Sequence, residues 1–313
     1  MPGPLEPLTT SDAIPESPLK IGLIGTGYWA DQCHAEGISR RNDLEFVGVW
    51  GRDSSKTAEF ANRRGIAPFD SPEALFAAVD VVSFAVPPTV QAALAPIAAA
   101  AGCHLLLEKP IATSAKEADL IALACRENDV LSIVNFASLL GGSTGPWVKD
   151  VVAGRDWDGG HVTLLSDLRA SDSPFAASPW RQLDNGSLWD VGPHALSLLV
   201  AGLGPVVDVQ ARHGRGDNWI LSLRHAEGAV SSVLLSFTVG EGGGKFDVDF
   251  WGASGSVSAP PPVDEWAPVD NIIPALDLLA RAIRSGTPVA YDAAFGADIV
   301  RVLAAAEIAA TSN

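Results

Sequence analysis

Six residues near the start of the chain form the pattern best suited to chemistry. Gly25-Thr26-Gly27-Tyr28-Trp29-Ala30 follow the apolar run Ile21-Gly22-Leu23-Ile24 and match G-x-G-x-x-A at the end of a β-type segment. Gly25 permits a tight turn out of a strand. Gly27 has no side chain, so a pyrophosphate could reach its backbone. Ala30 is small enough for the next helix to pack close to the strand. The free N–H groups of that helix start, flanked by Thr26, Tyr28 and Trp29, then face the phosphates. On its own the pattern also describes an ordinary glycine-rich turn. A second clue lies in Val49-Trp50-Gly51-Arg52-Asp53-Ser54-Ser55-Lys56. NAD-binding domains usually carry an acid at the end of the second strand, to hold the ribose 2′-OH. NADP-binding ones supply an arginine there. The expected acid position is Gly51, and Arg52 follows it, with Ser54, Ser55 and Lys56 able to add contacts to a 2′-phosphate. This favours NADP(H), with NAD(H) as the alternative should Asp53 be the ribose ligand one step later.

These residues need a scaffold, and the order of segments supplies one. Strands are expected at 20–25, 45–50, 66–69, 79–86, 104–107 and 130–136. Helices are expected at 28–40, 54–64, from Ser71-Pro72 onward, at 90–101 and at 114–128. Ser71 suits an N-cap and Pro72 a first turn, while Gly65 and Gly102 are stop signals. Alternation of this kind implies a Rossmann-type, doubly wound parallel sheet. The nearly continuous apolar strands fit a sheet covered on both faces. Residues 1–18 read as a flexible tail without the apolar core of a signal peptide, residues 19–140 as the dinucleotide-binding domain and residues 141–313 as a substrate and oligomerisation domain. The breaker cluster 141–146 marks the join. In the second domain, 147–153 reads as a short helix, Gly159-Gly160 as a turn and 161–169 as a strand. A loop spans 170–179, and 191–203 reads as a helix. Strands are expected at 219–223, 229–237, 245–251 and 256–259, making a large, mostly antiparallel open sheet. Helices follow at 271–284 and 293–310, the last able to pack back on the first domain.

Composition narrows the function class. The 313 residues contain 37 acidic against 21 basic side chains, a formal net charge of −16. That balance disfavours nucleic acid or an anionic membrane as partner. The chain is 47% apolar, yet no run has the length and uniformity of a membrane span. Cys33, Cys103 and Cys125 are odd in number and scattered, which suggests no disulfide framework and a cytoplasmic location. The Cys33-His34 and Cys103-His104 pairs lack partners at metal-ligand spacing, so no metal site is expected.

Later motifs turn these clues into a family likeness. Glu108-Lys109-Pro110 follows the fifth strand, and Trp180-Arg181 precedes Gly186-Ser187-Leu188-Trp189-Asp190-Val191-Gly192-Pro193-His194. Together with the N-terminal GxGxxA, these resemble the glucose–fructose oxidoreductase / inositol dehydrogenase / MocA (Gfo/Idh/MocA) oxidoreductase family over roughly residues 20–310. The resemblance implies a Rossmann domain plus a C-terminal α/β domain, and hydride transfer between a nicotinamide and a sugar, polyol or related carbonyl or alcohol. It implies Lys109 as the motif lysine and Asp190 and His194 as the D-x-x-x-H pair. It places Glu108 in a structural or cofactor-facing role and Pro87 beside the cofactor. The Lys109–Pro110 bond is of the type that tolerates cis. A homo-oligomer formed through the free face of the second sheet is also implied.

Asp190 and His194 lie four apart, so a helix would place them on one face. A histidine can exchange the proton of a hydroxyl, a carboxylate can orient it and a lysine can stabilise alkoxide charge. The plainer alternative makes Asp190 a helix cap and His194 a packed residue. Trp180 and Arg181 are expected near the substrate, with Trp189 a second candidate for that wall and Trp29 for the cofactor side. Two positions depart from the family pattern. Gln91 stands where a histidine is common after Pro87-Pro88, and 135–140 lacks the usual arginine. Two other functions stay open on this scaffold: a non-catalytic dinucleotide-responsive regulator, disfavoured by retention of Lys109 and His194, and an NAD-dependent glycoside hydrolase.

Overall fold

The computed structural model describes residues 17–170, 179–261 and 267–311. Most of the expected tail and of the 170–179 loop lie outside these residues. Strands β1 (Leu19–Ile24), β2 (Leu44–Trp50), β3 (Ala67–Pro68), β4 (Val81–Phe84), β5 (His104–Leu107) and β6 (Ser132–Val134) form one parallel sheet in the order β3-β2-β1-β4-β5-β6. This is the Rossmann order, and the strand sequence reverses between β1 and β4. The ends of those two strands therefore open a crevice, and Pro87 lies at its lip.

The linking helices are set by local sequence. The helix after the glycine turn is π-wound over Ala30–Ala35 and continues as α1 (Glu36–Ser39). Helix α2 (Ser54–Arg64) is capped by Asp53 and stopped by left-handed Gly65, and α3 (Pro72–Phe76) is capped by Ser71. Helices α4 (Pro88–Ala100) and α5 (Ala115–Glu127) complete the layers, with Ser114 capping α5.

The second sheet runs β12-β11-β7-β10-β9-β8. Its strands are β7 (Gly159–Leu165), β8 (Val206–His213), β9 (Asn218–His225), β10 (Val230–Ser236), β11 (Lys245–Gly252) and β12 (Gly255–Ser258). Only β7 and β10 pair in parallel; the remaining pairs are antiparallel. Short helices α6 (Ala137–Leu140), α7 (Thr144–Trp147) and α8 (Gly186–Asp190) and the longer α9 (Gly192–Leu203) lead into or lie against this sheet. β9 alternates strictly: Trp219, Leu221 and Leu223 are buried, while Ile220, Ser222 and Arg224 face out. The outer face also exposes Val230 and Trp251.

Four local expectations are corrected. The Gly141–Pro146 breaker cluster is partly helical, because Pro146 sits in the first turn of α7, where no intrahelical donor is needed. Gly159 and Gly160 begin β7 rather than forming a turn. A Cβ on Gly160 would stand 2.9 Å from the Leu199 side chain, so their small size serves close packing. The strand β8 escaped notice because it is a bulged edge strand whose Asp208, Gln210 and Arg212 are exposed. Asp190 ends α8 rather than capping α9; Val191 takes that place.

The last two helices belong as much to the first sheet as to the second. Helix α10 (Ile273–Ser285) packs on β5, β6 and α1, and α11 (Ala293–Thr311) bridges α5 to β8 and α9. Ile272, Leu276 and Leu279 join Ile21, Cys33 and Ile38 in one apolar cluster. The first domain thus depends on chain far downstream. Leu276→Ala should lower stability by about 2–5 kcal/mol through the cavity it leaves. Urea unfolding followed by tryptophan fluorescence checks this, and an unchanged midpoint would refute it.

Candidate active site

The crevice is a cavity of about 670 Å³, and it extends from the glycine turn to the second sheet. Gly27, Tyr28, Trp29 and Pro87 line one end. Glu108, Lys109, Asp190 and His194 stand in the middle, beside Trp180 and Arg181. Gly25, Thr26, Ala30 and Arg52 do not line it. Gly25 has φ +125, and a Cβ there would collide with the Ala85 carbonyl; Ala30 is fully buried behind the turn. Trp180 lines the cavity and Trp189 does not. Trp189 is buried, and its Nε1 donates to Glu307 of α11.

Three charged groups meet across the two domains. Lys109 Nζ donates to Asp190 Oδ1 at 2.7 Å and to the Asp190 carbonyl at 2.8 Å. Arg181 Nε donates to Asp190 Oδ2 at 2.6 Å, and its guanidinium lies over the Trp180 ring, 4.4 Å from the centroid. Burial opposes ionisation of Asp190, but the Lys109 and Arg181 charges outweigh it and hold the carboxyl well below the usual range. An ammonium has three donors, so Lys109 keeps one for a ligand. His194 lies beside this cluster. Burial, and then the neighbouring Lys109 charge, lower it to about 3, so the ring is neutral near pH 7. Its Nδ1 is buried without a hydrogen-bond partner among the described residues.

Beneath Lys109, Glu108 is a hub. Its Oε1 accepts from Trp29 Nε1 at 2.9 Å, His34 Nε2 at 3.1 Å and Asn135 Nδ2 at 2.8 Å. Burial works against its charge, and hydrogen bonds from His34, Trp29 and Asn135 more than offset this, lowering its pKa. Ser83 Oγ lies 2.7 Å from the other nitrogen of His34. Gln91 fixes the motif backbone from below. Its Nε2 donates to the carbonyls of Glu108 and Ile111 at 2.7 and 3.1 Å, and its Oε1 accepts from Glu108 N at 2.8 Å. The Lys109–Pro110 peptide is cis.

Sequence reasoning missed His34, Gln91 and Asn135 as members of the site. His34 looked like half of an isolated Cys-His pair, and Gln91 like a loss. A usable clue was that both are polar residues in apolar helices, so each had to find a buried partner.

The residues at the glycine turn fit a dinucleotide. A Cβ on Gly27 would meet nothing within 4 Å, so the backbone there is open to a phosphate. Asn135 Oδ1 faces the same cavity, buried and without a partner among the described residues, an acceptor suited to a carboxamide N–H. At the far edge, Gly51 is boxed in. A Cβ there would lie 2.9 Å from both Thr26 Cγ2 and Thr57 Oγ1, which leaves little room for an acid. Arg52 is exposed and has no ion pair among the described residues. Asp53 is engaged by the helix it caps, accepting from Lys56 N at 3.1 Å.

Comparison with known proteins agrees with this geometry. Residues 19–136 match the model of the Gfo/Idh/MocA oxidoreductase family, described as having an NAD-binding Rossmann fold. The chain is 38% identical over 206 residues to the D-glucoside 3-dehydrogenase of Escherichia coli (strain K12), covering 64% of this chain and 58% of that protein. It is 35% identical over 116 residues to the UDP-N-acetylglucosamine 3-dehydrogenase of Acidithiobacillus ferrooxidans, covering 37% of this chain and 36% of that protein. The chain therefore aligns with little more than half of the first relative and about a third of the second. The crystal structure of GenD2 from gentamicin A biosynthesis, in complex with NAD, superposes with a TM-score of 0.81 over 97% of both chains at 20% identity, a likeness of fold. No helix among the described residues is long and apolar enough to cross a membrane.

The lowered pKa of His194 makes a signed prediction. In the unfolded chain it titrates near 6.5, and in the folded protein near 3. Between those values the unfolded state binds the extra proton, so stability present above pH 6.5 is lost progressively as pH falls toward 3. His194→Gln should flatten that part of the profile. Thermal midpoints of both proteins from pH 4.5 to 7 check this; parallel profiles would count against a buried neutral ring.

Proposed function

We propose, from the match of residues 19–136 to the Gfo/Idh/MocA oxidoreductase family and from the geometry of the cavity, that the chain is an NAD(P)-dependent dehydrogenase or reductase of that family acting on a sugar hydroxyl or the matching ketone. The observation that carries the reading is the Lys109–Asp190–Arg181 cluster, which leaves one ammonium donor facing the same cavity as the glycine turn. Gly25, Thr26, Gly27, Tyr28, Trp29 and Ala30 would form the pyrophosphate turn, with Pro87, Glu108 and Asn135 toward the nicotinamide. A nicotinamide held there supplies or accepts hydride at its C4.

The protein's own groups manage the proton. In reduction, the Lys109 ammonium gives a proton to the carbonyl oxygen as alkoxide charge grows; in oxidation, the neutral amine takes the hydroxyl proton. Asp190 fixes the amine in place, and Arg181 balances the carboxylate. Neutral His194 binds and orients the hydroxyl rather than acting as a charged acid. Trp180 offers an aromatic wall to the apolar face of the sugar ring. A positioned proton-transfer group is worth about 10²–10⁴ in rate. Lys109→Met should therefore lower kcat by about that factor while the protein still binds cofactor, since the methionine follows the lysine stem. Full turnover in this variant would sink the assignment.

The same reading favours NADP(H). Gly51 removes the acid, Arg52 is an exposed cation beside the turn and Asp53 is occupied as a cap. Fluorescence titration should show NADPH binding at least about tenfold more tightly than NADH. Arg52→Ala should erase the difference, because a charge-assisted hydrogen bond contributes about 1.5–3 kcal/mol. Equal binding of both cofactors by the unaltered protein would return the ribose contact to Asp53.

A further inference from the structure

Behind His194 the cavity continues into a second chamber of about 360 Å³. Ala137, Ser138, Val191, His194 and Asn271 line both spaces. The cofactor turn lies at the opposite end, so this chamber is beyond the proton-transfer groups. Its own walls are Gly141, Gly142, Ser143, Thr144, Leu164 and Phe246. Its volume alone falls in the range of ordinary ligand pockets, about 300–1,000 Å³, so it can take a ring-sized group.

The chemistry of the walls limits that group. No Lys, Arg, Asp or Glu lines the second chamber among the described residues. In the main cavity Lys109 and Arg181 both face Asp190, and Glu108 is held by three donors. Arg169 pairs with buried Asp217. A diphosphate would need cationic partners to leave water. Small polar groups beside Leu164 and Phe246 instead suit an uncharged ring bearing hydroxyls, or an aromatic one.

Resting on the dehydrogenase reading above, we propose that the substrate is a neutral glycoside whose oxidised sugar ring sits at Lys109 and His194 and whose aglycone or second sugar fills this chamber. To the diphosphate of a nucleotide sugar this chamber offers no cation among the described residues.

The test offers hexoses in three forms: free, as α- and β-phenyl glycosides, and as the UDP-sugar, each with NADP⁺ or NAD⁺. The glycosides should show kcat/KM at least tenfold above both other forms. Ser143→Trp, which narrows the chamber, should raise KM for the phenyl glycoside at least tenfold more than for the free sugar. A UDP-sugar or free sugar turned over with a kcat/KM within tenfold of the glycoside's, or above it, overturns the chamber assignment and leaves the dehydrogenase standing. An unchanged KM ratio in Ser143→Trp overturns it in the same way. No turnover of any form, in a protein that binds NADPH or NADH, overturns both readings.

Discussion

The site depends on the burial of one carboxylate. Asp190 has lost most of its water, and a lone charge so placed costs several kcal/mol. Only two cations held against it make the arrangement stable, and they come from different parts of the fold. Lys109 follows β5 of the first sheet, and Arg181 comes from the segment just before α8. The ion cluster is thus also a clamp between domains. Removing either cation would leave a buried charge only half compensated, so the geometry of the cluster and the contact between Lys109 and α8 are coupled. The same cluster governs His194. A proton there would add a third positive group beside Lys109, and burial already disfavours it. One electrostatic arrangement therefore neutralises Asp190 and keeps His194 uncharged beside it.

Hydrogen bonds to the backbone and side chain of Glu108 keep Lys109 aimed. The backbone before it is pinned by Gln91, and the Glu108 side chain ties the turn to Trp29 and His34 of the helix that begins at the phosphate loop. The helix after the glycine turn and the Lys109 backbone are thus anchored to the same carboxylate. Gln91 matters here because its amide donates and accepts at once. It satisfies one N–H and two carbonyl groups of a turn that has left the sheet ladder and would otherwise be buried unpaired.

The fold was legible because its signals are local and repeated. Glycine stops, the Ser71 cap and apolar runs set most elements of the first sheet to within a few residues, since both faces of that sheet are covered and its strands are mostly apolar. Legibility fell at the second sheet. β8 is an edge strand with charged side chains, and Gly159-Gly160 looked like a turn because composition does not report the neighbour that a missing Cβ accommodates. The residues placed together in the site were legible as motifs but not as partners. Nothing in the spacing of Asp190 and His194 reveals that the carboxylate faces Lys109, 81 positions earlier. Helical periodicity reports a shared face; it cannot report which buried charge needs a counterion.

That distinction bears on Gln91 and on the segment without an arginine. Judged by motif alone, both are losses of polar function. In the structure the first is a scaffold for the turn. The second follows the same logic of charge, because an additional arginine near Asn135–Leu140 would enter a cavity in which Asp190 is already neutralised by Lys109 and Arg181. An uncompensated cation there would be costly to bury and would lower further the basicity of His194. The absence of that arginine keeps the walls around Ser138 and Gly141–Thr144 uncharged, and with them the space beyond His194. Charge balance at Asp190 thus reaches past the reacting atoms and limits what the rest of the cavity can hold.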